Sequence, residues 1–201
     1  MSKALFLQSC SLLCRRKVLS CGVSAMADPS AATKGDATQD GLSQLARSIL
    51  PHILNLYNCK ATAADFDVYA SNATFEDPLM RAKGVPQIKS AFYSIPKVFS
   101  EGRISDDYSV VEEPENGEIR IDNVQHYKFL GRLIDVPSLI KLKVENGKVI
   151  SHQDLWHKQP LKSRDTVKLP LVGRLAESVR RGNMMITHLL MGCGKDPATA
   201  A

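Results

Sequence analysis

The run Gly147-Lys148-Val149-Ile150-Ser151-His152-Gln153-Asp154-Leu155-Trp156 decides how this chain folds. It opens on a turn, Glu145-Asn146-Gly147, of the Asn-Gly type that joins antiparallel strands. Period two along the strand then places Ile150, His152, Asp154 and Trp156 on one face, which gives that face an imidazole, a carboxylate and an indole. Upstream, residues 132–144 alternate cleanly, with Ile134, Val136, Ser138, Ile140, Leu142 and Val144 on one side. Residues 118–130 form a further long strand. A second Asn-Gly turn, Pro114-Glu115-Asn116-Gly117, precedes it and leads back to a strand over 106–112. Strands this long must twist and coil, so a curved sheet is expected.

The first half has a helical period. Leu42, Leu45, Ile49, Ile53, Leu56 and Tyr57 mark a helix over 41–58, which Pro51 is expected to kink or split. Thr62 and Asp65 have capping-box spacing and predict a short second helix over 62–70. The chain then turns at Ser71-Asn72, extends over 73–76 and reaches the second decisive motif, Phe75-Glu76-Asp77-Pro78. Pro86 suits the first turn of a third helix, which presents Ile88, Phe92, Ile95 and Phe99 and should kink at Pro96. Helices followed by a strand meander give an α+β domain with helices packed on one sheet face.

The Asp-Pro turn, the following glycine and helix, and the closing Gly147–Trp156 strand together resemble the nuclear-transport-factor-2-like superfamily in its SnoaL-like branch, nearest in pattern to a mostly plant group. The resemblance covers residues of about 42–160. It implies a cone-shaped roll, with N-terminal helices packed on a curved four-stranded antiparallel sheet. It also implies a pocket whose candidate lining is Tyr57, Tyr69, Phe75, Tyr93 and Trp156. Asp77, Asp154, His152 and His126 are the candidate acid–base residues, because such chemistry needs a carboxylate or imidazole set in an apolar wall. The superfamily holds isomerases, dehydratases and cyclases as well as binding and association modules, so the fold does not choose among them. Three readings follow. The first is a domain binding a small apolar molecule or a protein partner without catalysis. The second is an isomerase, dehydratase or cyclase using His and Asp in the cone. The third is an association module that homodimerises through the outer sheet face.

Composition narrows the partners. Of 26 basic residues, Lys3, Arg15, Arg16 and Lys17 lie in residues 1–27, which contain no acid; the remaining 22 face 21 acidic residues. The body therefore lacks the excess charge that gathering phosphates requires, and no nucleic-acid partner is expected. Cys59 and Cys193 are the body's only cysteines, in no metal spacing, and His157 should point away from His152 and Asp154. No metal or cofactor is expected.

Residues 1–27, basic and rich in Ser, Leu and Cys, read as an organelle transit peptide for mitochondrion or chloroplast. Initiation at Met26 would instead leave a cytoplasmic form. Residues 28–40 read as a disordered linker, 41–158 as the domain, and 159–201 as a connector and an amphipathic helix. Leu171, Leu175, Val179, Met185, Ile186, Leu189 and Leu190 form that helix's apolar stripe, with Arg174, Glu177, Ser178 and Arg181 opposite. The stripe is expected to pack on the domain, with a peripheral membrane or protein contact as the alternative.

Overall fold

The computed structural model describes residues 41–167 and 170–197, so the transit-peptide, linker and Met26 readings lie outside the described residues. Helix α1 spans Gln44–Tyr57. Its N-cap, Ser43, accepts from Ala46 N–H at 3.1 Å and donates through Oγ to Glu112 at 2.7 Å, which ties the helix start to the sheet. Helix α2 spans Val85–Val98. Neither proline breaks its helix. Pro51 and Pro96 lie inside α1 and α2 at exposed positions, and each helix continues through its proline.

Among the described residues the sheet has seven strands rather than four: β1 Tyr69–Glu76, β2 Arg81–Lys83, β3 Glu101–Ile104, β4 Ser109–Glu113, β5 Glu118–Phe129, β6 Arg132–Glu145 and β7 Lys148–Trp156. Their order is β2-β1-β7-β6-β5-β3, with β4 also on β5. The sheet is mixed, because β1 pairs with β7 in parallel. The single strand expected over 106–112 is instead two short edge strands. Both lean on β5, β3 against residues 125–128 and β4 against 118–122, with the acidic Asp106-Asp107 between them.

The second helix expected over 62–70 shrinks to one 3-10 turn, Ala63–Phe66. Asp65 does accept from Thr62 N–H and Oγ–H, both at 2.8 Å, but it also holds His52 and Asn55 of α1. From Tyr69 the chain is strand, so Ser71-Asn72 lies within β1 rather than in a turn. Pairing with β7 overrides the weak local helical pattern.

The β6–β7 turn is the expected Asn-Gly type, with Asn146 at φ 51° and Gly147 at φ 74°. The β5–β6 turn places Leu130 at φ 47° before Gly131 at φ 78°. A leucine there is strained, and its side chain is exposed. Leu130→Asn is expected to stabilise the protein by about 0.5–1 kcal/mol, read as a rise in the urea midpoint at constant slope.

Register explains which side chains enter the interior. Lys143 faces Ser151 but Val144 faces Val149, so a bulge at Ile150 shifts the pairing. Leu142 lies opposite His152, so Val149 rather than Ile150 shares the inner face with His152 and Asp154. The core sits between this face and the helices and is rich in aromatic rings, including Tyr57, Phe66, Phe75 and Phe92.

The C-terminal helix α3, Pro170–Leu190, packs on α2 and β2, but with its polar side. Arg180, only 4% exposed, donates to Glu76 at 2.9 Å. Asn183 donates to the Leu79 carbonyl, and Arg181 to the Arg81 carbonyl and Gln87. Met184 is the helix's one fully buried large apolar side chain among the described residues. The expected apolar stripe faces outward. The domain surface beneath the helix offers carbonyls and carboxylates, and arginines match these better than leucines do.

Candidate functional site

His152 lies at the centre of an aromatic cage. The rings of Tyr57, Tyr69, Phe75 and Phe92 surround its imidazole at centroid distances of 5.9, 6.1, 5.0 and 5.8 Å. These rings come from α1, β1 and α2, so three elements converge on one strand residue. Both ring nitrogens are engaged: Tyr57 Oη lies 3.0 Å from Nε2, and Tyr69 Oη 2.7 Å from Nδ1. Burial lowers the imidazole pKa to about 3, so the ring is neutral.

Asp154, two residues on, shares the inner face but does not bond to His152. Its carboxylate accepts from Gln125 Nε2 at 3.1 Å to each oxygen, from Trp156 Nε1 at 3.0 Å, and from Ser138 Oγ. Burial pushes the Asp154 pKa up, and these donors pull it back. Gln125 Nε2 and Trp156 Nε1 can only donate, so the carboxyl oxygens accept from them, while the Ser138 hydroxyl can serve in either role.

A neutral imidazole donates from one nitrogen and accepts at the other, so one of Tyr57 and Tyr69 donates to the ring while the other accepts from it. Burial first, and the Asp154 charge second, hold the Tyr57 phenol protonated.

Asp77 is also buried, in the β1–β2 turn. Its Oδ1 accepts from Leu79 N–H at 2.7 Å and Met80 N–H at 2.5 Å, so it caps its own turn ahead of β2. Burial first, then the charge of Asp154, raise its pKa to about 7.

The shifts of Asp77 and His152 have opposite consequences. Folded Asp77 holds its proton above its unfolded pKa, so it contributes stability that is lost as pH rises from about 4 to about 7. Folded His152 resists protonation, so it contributes stability that is lost as pH falls from about 6.5 to about 3. Between about pH 4 and 6.5 the two slopes oppose each other. Asp77→Asn keeps the turn acceptor and removes one slope. The variant is expected to gain up to about 1.4 kcal/mol of stability per pH unit, relative to wild type, over that window. Urea unfolding at a series of pH values measures this, and parallel wild-type and variant profiles would refute it.

The remaining candidates separate. His126 is outside the cone, against expectation: inward positions on β5 are odd-numbered, and His126 pairs with Asp135 at 2.7 Å on the outer face. That face also carries Lys128–Glu101 and Lys141–Glu118 ion pairs. Tyr93 is away from the cage, with its hydroxyl donating to Asp196 at 2.8 Å. It lines an apolar cleft of about 360 Å³ with Cys59, Phe92, Pro96, Lys97 and Met191. Phe92 therefore has the cage on one side and the cleft on the other.

Sequence reasoning did not single out Gln125, Asn123 or Ser138. Their signal was present, as polar residues at core-facing positions among Ile119, Ile121, Val136 and Ile140. Asn123, opposite Ser138, donates through Nδ2 to the Ile121 carbonyl at 3.1 Å. Its buried Oδ1 has no protein partner.

No protein-family model matches the sequence, and no curated protein does. Solved structures do match. A protein from Anabaena variabilis described as NTF2-like aligns over 66% of this chain and 95% of its own, with TM-score 0.50 and 16% identity. The chain has the nuclear-transport-factor-2-like fold. A candidate polyketide cyclase from Silicibacter sp. aligns over 56% of this chain and 89% of its own, with TM-score 0.50 and 7% identity. At such identities the likeness concerns the fold alone. In this fold the Asp154 cluster lies on the inner sheet face, and α2 supplies Phe92, Tyr93, Pro96 and Lys97 to the cleft.

Proposed function

We propose that this NTF2-like domain binds a small, mainly apolar molecule in the cleft beside Phe92 and Tyr93, and that the buried polar cluster is scaffold rather than catalyst. The observation that carries this reading is the saturation of the cluster. Both nitrogens of His152 are occupied by tyrosines and Asp154 is surrounded by donors, whereas a catalytic base must reach its substrate. The cleft, by contrast, has a volume in the range of small-molecule sites, aromatic and proline walls, and one cation, Lys97, to orient an anionic group.

Anilinonaphthalene sulfonate, an apolar anion, tests the cleft. Saturable one-site binding by the folded protein is expected. Ala61→Phe, which adds bulk at the cleft wall, should abolish it without lowering the thermal midpoint. Binding that Ala61→Phe leaves intact would refute the reading.

A second reading, acid–base turnover in the cone, is favoured by Asn123 Oδ1, an acceptor with no protein partner beside the Asp154 cluster. A ligand hydroxyl would satisfy it, and Asp77 is the carboxyl whose pKa suits proton transfer. The description of the Silicibacter neighbour belongs with this reading. Native mass spectrometry of protein purified from its source separates the two. A reacting cone should retain more bound molecule in Asp77→Asn than in wild type, and a binding cleft should retain the same amount in both.

A further inference from the structure

We propose that α3 seats the domain on an anionic lipid surface. The outward face of this helix is apolar along its whole length. Leu171, Leu175, Val179, Ile186, Leu189 and Leu190 are all at least half exposed, with Leu171 at 77%. A surface helix of a globular domain ordinarily presents the reverse arrangement. Here the inversion is built in, because Arg180, Arg181 and Asn183 fasten the polar side to carbonyls and carboxyls of the domain. The stripe cannot roll inward without breaking those bonds. It runs roughly 28 Å, too little apolar sequence to span a bilayer and enough to lie in its interface.

Charge chooses the occupant. Residues 158–201 contain eight basic and three acidic residues, while residues 28–157 contain fourteen and eighteen. Of those eight, Lys158 pairs with Asp122 and Arg180 and Arg181 are turned into the domain, so the outward charge rests on the cations named next. Arg174, on the rim of the stripe, is exposed, and so are Lys162, Arg164 and Lys195 nearby in the chain. The only acid on the helix, Glu177, is turned inward against Arg164 and Arg81. A second copy packed through the stripe would bring Arg174 toward its counterpart, with Glu177 turned inward. Anionic headgroups would answer Arg174, and the acyl boundary would take the leucines.

The test uses the full-length chain and two kinds of vesicle, phosphatidylcholine alone and phosphatidylcholine mixed with phosphatidylglycerol. Co-sedimentation is expected with the mixed vesicles and to weaken as salt is raised. The double variant Leu175→Glu/Leu189→Glu should bind about tenfold more weakly or worse, and Arg174→Glu several-fold more weakly. All substituted side chains are exposed, so unchanged thermal midpoints would show that the fold is intact. Three results would overturn the proposal: no binding to either vesicle; equal binding by wild type and double variant, which would assign attachment to the basic residues 3 and 15–17; or a wild-type dimer that the double variant dissociates while vesicle binding persists.

Discussion

Asp154→Ala is expected to destabilise the protein by about 3–5 kcal/mol, among the largest effects of any single substitution in the core. The carboxylate is buried and gathers Ser138, Gln125 and Trp156. Removing it leaves each of these donors without its acceptor in a place water does not reach. A loss of that size is a large share of the stability of an ordinary domain. Asp154→Asn should cost less, since one amide oxygen remains, although its amino group then faces donors. Urea unfolding of the two variants and of Ser138→Ala gives the comparison. A loss below about 1 kcal/mol for Asp154→Ala would mean that the donors find other partners, and the cluster would lose its scaffold role.

His152→Ala is expected to cost a similar amount, about 3–5 kcal/mol, for a different reason. The substitution opens a void inside four aromatic rings and strips two tyrosine hydroxyls of their partner. His152→Phe restores volume but not the hydrogen bonds, so it should recover only part of the loss. Tyr57→Phe and Tyr69→Phe each remove one hydrogen bond to a buried ring nitrogen, so each should cost about 1–3 kcal/mol in urea unfolding, and a negligible loss in both would show that the tyrosines do not hold the ring.

Much of this architecture is legible in the residues themselves. The alternation over 132–144 and the Asn146-Gly147 turn announce β6 and β7, and Pro86 announces the start of α2. What is not legible depends on partners remote in sequence. Tyr69 joins a strand because β7 lies beside it, not because of anything near it in the chain. The candidates divide in the same way. Strand parity alone places His152 and Asp154 together, and it would also have sent His126 outward if the odd-numbered positions of β5 had been read as the inward set. Ser138 and Gln125 look like minor interruptions of apolar strands until Asp154 is seen between them. The orientation of α3 is the largest departure. A hydrophobic stripe predicts that something apolar covers it, but not that the cover is this domain.

The bulge at Ile150 has a consequence for anyone comparing this chain with its kin. Val149 and His152 face inward together only because one extra residue is accommodated between them. A relative one residue shorter at that point could keep every letter from the histidine to the tryptophan and still pack a different residue at the base of the cone. Sequence alignments scored by residue type would count such a relative as conserving this region, and only the length of the segment between the Asn-Gly turn and the histidine would show that its interior differs.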